Sequence, residues 1–132
     1  MKKFFVLVLL IICSCSGSLT VKCKDIESAG LQDNCLYKIL CETENPVVCK
    51  EFNDLGIKED CYFYFAQSKK ELSYCDFFEN PSARNHCYIA VARESGDKSI
   101  CDKLVKSSYP DGDYCIELVE SGEKPPVNRL TC

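Results

Sequence analysis

Tryptophan is absent, histidine occurs once, and no apolar run is longer than nine residues. Each scarcity excludes something. With His86 as the only imidazole, most routes to acid–base catalysis and to a histidine-ligated metal are closed. The longest apolar run, Phe4 to Ile12, is well short of the roughly 20 residues that a membrane-crossing helix needs. There is no C-x-x-C pair of the kind that builds a thiolate zinc knuckle, no G-x-S-x-G, and no glycine-rich phosphate loop. The net charge of −4 comes without any basic cluster, which argues against nucleic acid, because binding there draws on Lys and Arg neutralising phosphates.

The residues that superficially suggest chemistry have plainer readings. His86 adjoins Cys87, but neighbours on a helix point about 100° apart, so His86 is expected to face solvent and Cys87 to be oxidised. Asp111-Gly112-Asp113 lacks the twelve-residue ligand loop of a calcium site and reads as an acidic turn after Pro110. Glu59-Asp60 is expected to cap or solvate a helix, and Asn80-Pro81-Ser82 is no glycosylation acceptor because proline fills the middle position. No cofactor, metal site or catalytic residue is predicted.

What the chain has in quantity is cysteine, twelve in 132 residues. The first two lie near the start. Met1-Lys2-Lys3, the apolar run and then Cys13-Ser14-Cys15-Ser16-Gly17 form the layout of a secretory signal peptide, a short basic region, an apolar stretch and small residues. Within it, Ile12-Cys13-Ser14-Cys15 resembles the lipobox of prokaryotic lipoproteins. That resemblance implies cleavage after residue 14, acylation of Cys15, and a membrane anchor in which each buried methylene contributes roughly 0.8 kcal/mol. Ordinary cleavage after Ser16 or Ser18 would instead release a soluble protein. The expected organisation is a signal peptide over 1–14, an anchor or linker over 15–22 and a cysteine-rich domain over 23–132. Removing residues 1–14 discards two lysines and no acids, so the charge moves to −6.

Ten cysteines then remain, an even number suited to full pairing in an oxidising compartment. They recur with a period of 26 to 28 residues. Units starting at Cys35, Cys61, Cys87 and Cys115 each carry an apolar residue directly after the cysteine (Leu36, Tyr62, Tyr88, Ile116) and another four after it (Ile39, Phe65, Val91, Val119). The fifth position holds Leu40, Ala66 and Ala92, then weakens at Glu120. This spacing keeps side chains on one side of a helix. A second cysteine follows 14 residues later at Cys49, Cys75 and Cys101, preceded by Val48, Tyr74 or Ile100 and followed by Phe52, Phe78 or Leu104. Cys23 with Ile26 looks like the same half-unit standing ahead of the first complete one. Asn45-Pro46, Asn80-Pro81, Gly96-Asp97 and Ser121-Gly122 supply helix boundaries. The predicted fold is all-α, an array of about four disulfide-stapled helical hairpins forming a short α-solenoid. Over residues 23–132 it is similar in style to the cysteine-rich helical-repeat proteins of prokaryotic cell surfaces.

Two pairings suit the repeat. One staples each hairpin internally: Cys35–Cys49, Cys61–Cys75 and Cys87–Cys101, with Cys115–Cys132 and Cys23–Cys41 closing the ends. The other joins Cys23–Cys35, Cys49–Cys61, Cys75–Cys87 and Cys101–Cys115, leaving Cys41 to Cys132. Bridged Cα atoms must lie within about 7 Å and helices pack 8–10 Å apart, so in a linear stack only a closed ring would let Cys41 reach Cys132; the first pairing is therefore predicted.

Aromatic residues are the one feature with binding content. Tyr62 and Tyr88 fall on the core stripe, whereas Tyr64 and Phe77 fall off it and are the candidate surface residues, since aromatics favour protein interfaces. The expected function is a non-enzymatic interaction module with a protein partner on or outside the cell surface, tethered by lipid. The alternative is a soluble secreted effector or enzyme inhibitor. A hydrolase built from carboxylates and tyrosines is a distant third.

Overall fold

The computed structural model describes residues 22–123, and every regular element among them is helical. A turn of helix at 22–24 precedes α1 (Ala29–Thr43). Two further long helices follow, α2 (Leu55–Lys69) and α3 (Pro81–Ser95), and then a shorter α4 (Gly112–Ser121). Six-residue 3-10 helices separate them: η1 (Pro46–Glu51), η2 (Leu72–Phe77) and η3 (Lys98–Lys103). Each 3-10 helix packs on the α-helix before it and the one after it, and α2–α3 and α3–α4 also pack directly. The result is the disulfide-stapled array of helical repeats that the spacing predicts. The expected signal peptide over 1–14, the acylated Cys15 and Cys132 lie outside the described residues.

The elements start where side chains can replace missing backbone partners. Asn45, Asp54, Asn80, Asp97 and Asp111 each accept a hydrogen bond from an N–H in the turn they open. Each such cap contributes about 1 kcal/mol. Pro46 and Pro81 follow their caps at positions where an N–H would have no partner anyway. The helix ends are stricter still. The residues just past α1 to α4 are Glu44, Lys70, Gly96 and Gly122, 26 residues apart throughout, and all four are left-handed, with φ between 47° and 71°. The last unit keeps this ending although its helix begins late, after an enlarged loop from Leu104 to Asp111.

The core is built from repeat-equivalent positions. Leu36, Ile39 and Leu40 in α1 correspond to Tyr62, Phe65 and Ala66 in α2, and all six are buried. From the 3-10 side, Val48 and Phe52 correspond to Ile100 and Leu104, with Phe78 matching Phe52; all are buried. Burying a side chain of this size contributes about 1.5–3 kcal/mol, and no unit buries enough of them to stand alone. Ile116 and Val119 of α4 are only half-buried, as befits the last helix of the described array.

The disulfides correct the predicted pairing. Cys35–Cys49, Cys61–Cys75 and Cys87–Cys101 are not formed. Cys49 bridges Cys61, Cys75 bridges Cys87 and Cys101 bridges Cys115, with Cα separations of 5.5, 5.6 and 5.7 Å. Cys23–Cys41 is likewise replaced by Cys23–Cys35 at 5.7 Å, and Cys115–Cys132 by Cys101–Cys115. The reason lies in helix length. Cys61 sits eight residues before the end of α2, a rise of about 12 Å. Cys75, fourth in η2, has come back only about 6 Å at roughly 2 Å per residue. In the other direction the short turn Phe78–Asn80 swings α3 alongside η2 and delivers Cys87 to Cys75. The stapled unit is therefore a short helix with the α-helix that follows it, and Cys23 opens the first unit rather than preceding it. Cys41 is itself disulfide-bonded; since the eight other described cysteines pair with one another, its partner lies outside the described residues.

Candidate functional site

The two predicted surface aromatics separate. Tyr64, on α2, is half-buried and meets Phe65 edge-on with centroids 5.3 Å apart, so it belongs to the wall of the core. Phe77, the last residue of η2, stands 57% exposed. Its ring lies flat on that of Tyr62, with centroids 4.1 Å apart and 5° between planes. The equivalent positions in the neighbouring repeats carry charges, Glu51 and Lys103. Phe77 is thus the one aromatic at a position otherwise given to charge.

Its setting is rigid. Cys75, two residues earlier, is bridged to Cys87 in α3. Phe78, next in sequence, is buried, and its carbonyl accepts from Arg84 Nε and Nη2 at 3.0 and 2.7 Å. Tyr74 in the same 3-10 helix packs against Phe65, centroids 5.9 Å apart, and Lys69 Nζ lies over the Phe65 ring, 5.8 Å from its centroid. An exposed ring held in this way loses little entropy on binding.

The phenols nearby stay protonated at neutral pH. Burial pushes the Tyr62 hydroxyl above its ordinary range, helped by the Glu51 charge. Burial does the same for Tyr74, reinforced by Glu71. Tyr88, half-buried, is raised by burial and by donating to the Asp76 carboxylate at 2.8 Å, against a smaller opposing effect of Arg84.

Two buried polar residues that sequence reasoning passed over organise the loops. Asp33 and Asn85 stand two positions before Cys35 and Cys87, and each reaches the loop about 20 residues ahead. Asp33 accepts from the Asn53 and Asp54 backbone N–H groups at 2.8 and 3.0 Å and from Asn53 Nδ2 at 3.0 Å. Burial alone would raise its carboxyl, but these hydrogen bonds and the nearby Lys58 charge hold it below the ordinary value. The identical offset from the cysteine was the available signal. It was obscured because Glu59 and Asp113 take the place in the other units and the side chains differ.

The remaining sequence candidates fall apart as chemistry. His86 is exposed on α3 and its neighbour Cys87 is in a bridge. Asp111 caps α4, accepting from the Tyr114 N–H at 3.0 Å. A cleft of about 500 Å³ opens beside it, between η3 and α4, lined by Asp102, Lys106, Asp111 and Asp113. No group of three or more potential metal ligands occurs among the described residues, nor does a helix long and apolar enough to cross a membrane. The chain matches no family model, no curated protein and no solved structure. The bridges themselves point to an oxidising, extracellular environment.

Proposed function

We propose that the protein is an exported, non-enzymatic interaction module, held at the membrane through acylated Cys15, that binds a protein partner through the face around Phe77. The observation that carries this reading is the flat stack of exposed Phe77 on Tyr62, set two residues from a disulfide. An aromatic anchor surrounded by polar residues and fixed before contact is the usual chemistry of an interface hot spot. Repeat arrays supply extended surfaces on which such anchors are presented. The nine cysteines among the described residues are all in bridges and serve the architecture, so function falls to the surfaces between them.

A photo-crosslinking residue placed at position 77, compared with one at exposed Lys38 on α1, tests the contact face in the producing cell. A discrete adduct from 77 and none from 38 supports the reading; indistinguishable adduct patterns contradict it. The intact mass of the purified mature chain tests the tether. Acyl groups on Cys15 support it, whereas a free Gly17 or Leu19 terminus favours the soluble effector or inhibitor.

A further inference from the structure

We infer that the groove between α3 and α4 is a second contact site, which seats an apolar side chain of a protein partner whose neighbouring residues are acidic. The groove measures about 180 Å³, and all the residues that line it belong to α2, α3 and α4. Ile89 and Ala90 are its floor, each only 4% exposed. Phe63 of α2 and Leu118 of α4 stand beside them, both half-buried. An apolar cavity of about 150 Å³ takes a benzene molecule, so this one has room for a single aromatic or branched aliphatic side chain. It shares no residue with the Phe77 face, and the two readings stand or fall separately.

The repeat gives the groove its meaning, because every α3 residue that lines it differs from its α2 equivalent, and the changes agree. Ile89 and Ala90 stand where α2 carries the half-buried Phe63 and Tyr64, so two rings give way to smaller side chains. His86 stands where α2 carries Asp60, which removes a negative charge. Arg93 stands where α2 carries Gln67, which adds a positive one. No acidic residue lines the groove, in a chain that has 20 of them. His86 and Arg93 lie two helical turns apart, about 10 Å, and bracket Ile89 and Ala90. Arg93 is held by donating from Nε and Nη2 to the Glu123 carbonyl at 2.9 and 2.6 Å, an acceptor that leaves the guanidinium charge uncompensated. A carboxylate next to the seated side chain is drawn to that charge and a lysine or arginine is repelled, which selects the partner.

Selection of a random peptide library displayed on phage against the oxidised full chain tests the site. The expected result is enrichment of peptides in which Asp or Glu adjoins Leu, Ile or Phe. Those peptides should bind Ala90→Tyr, which restores the ring of the α2 position, about tenfold more weakly. Arg93→Gln and His86→Asp, which restore the other two α2 residues on an accessible surface, should each weaken binding severalfold and keep the test valid if the added ring disturbs the fold. Lys38→Ala, at the α1 position equivalent to Ala90, should change nothing. Enriched peptides without acidic residues, no enrichment at all, or undiminished binding to folded Ala90→Tyr or to both charge variants would overturn the inference. So would dimerisation in solution that Ala90→Tyr abolishes, which would give the groove to a second copy of the chain.

Discussion

Asn85, wholly buried, grips the peptide of Val105 from both sides: its Nδ2 donates to the Val105 carbonyl at 3.1 Å while its Oδ1 accepts from the Val105 N–H at 2.9 Å. The same Nδ2 donates to the carbonyls of Ser108 at 3.1 Å and Pro110 at 2.9 Å. One amide thus gathers the enlarged loop that delays the start of α4. Asn85→Leu keeps the volume but leaves several buried backbone groups without partners. It should cost about 3 kcal/mol, measured as a fall in the urea midpoint with little change in slope. Asn85→Asp should be at least as damaging, because its carboxylate would face three carbonyl oxygens.

Asp33 performs the corresponding task at Asn53 and Asp54, but carries charge. Its carboxyl is held below its unfolded value, so its contribution is present above about pH 4 and is lost as pH falls through the lowered native value. Asp33→Ala should therefore cost about 2 kcal/mol near neutrality and progressively less below pH 4. Thermal melts of both proteins from pH 7 to pH 2 should show the two curves converging on the acid side.

The left-handed helix ends offer a test without any change of contacts. A non-glycine residue there costs about 1 kcal/mol in backbone conformation. Lys70→Gly should stabilise the protein by about that amount, since φ is 54°. Gly96→Ala should cost a similar amount although open space surrounds the added methyl group. Denaturant midpoints measured side by side would show opposite signs.

How far the sequence carries is clear from these elements. Period, helical class and the boundaries at Asn45, Asn80, Gly96 and Gly122 are legible because local chemistry dictates them: caps need particular side chains and left-handed ends favour glycine. Glu44 and Lys70 adopt the same left-handed geometry without glycine, because packing on both sides over-determines it, and only the spacing betrays them. The bridges were misassigned because the second helix of each unit is a short 3-10 segment, which changes how far the chain returns. Phe77 was identifiable as lying off the core stripe, but its partnership with Tyr62 depends on how η2 packs against α2.

That partnership separates stability from binding. Phe77→Ala removes one exposed ring from a stack and should cost only about 1 kcal/mol, seen as a small shift in melting temperature. Cross-linking to the partner from a neighbouring position such as Ser73 should fall severalfold in the same variant. Equal cross-linking with and without the Phe77 ring would remove this face from consideration.

The central claim is that each short helix is stapled to the α-helix after it, so that the cysteines of the described residues are scaffold and the surface is free for contact. Paired serine variants decide this through free thiols counted in denaturant, relative to the unsubstituted protein. Cys75→Ser with Cys87→Ser removes one complete bridge and should add no thiol, while Cys61→Ser with Cys75→Ser should add two, from Cys49 and Cys87. The reverse outcome, two new thiols from the first pair and none from the second, would contradict the account.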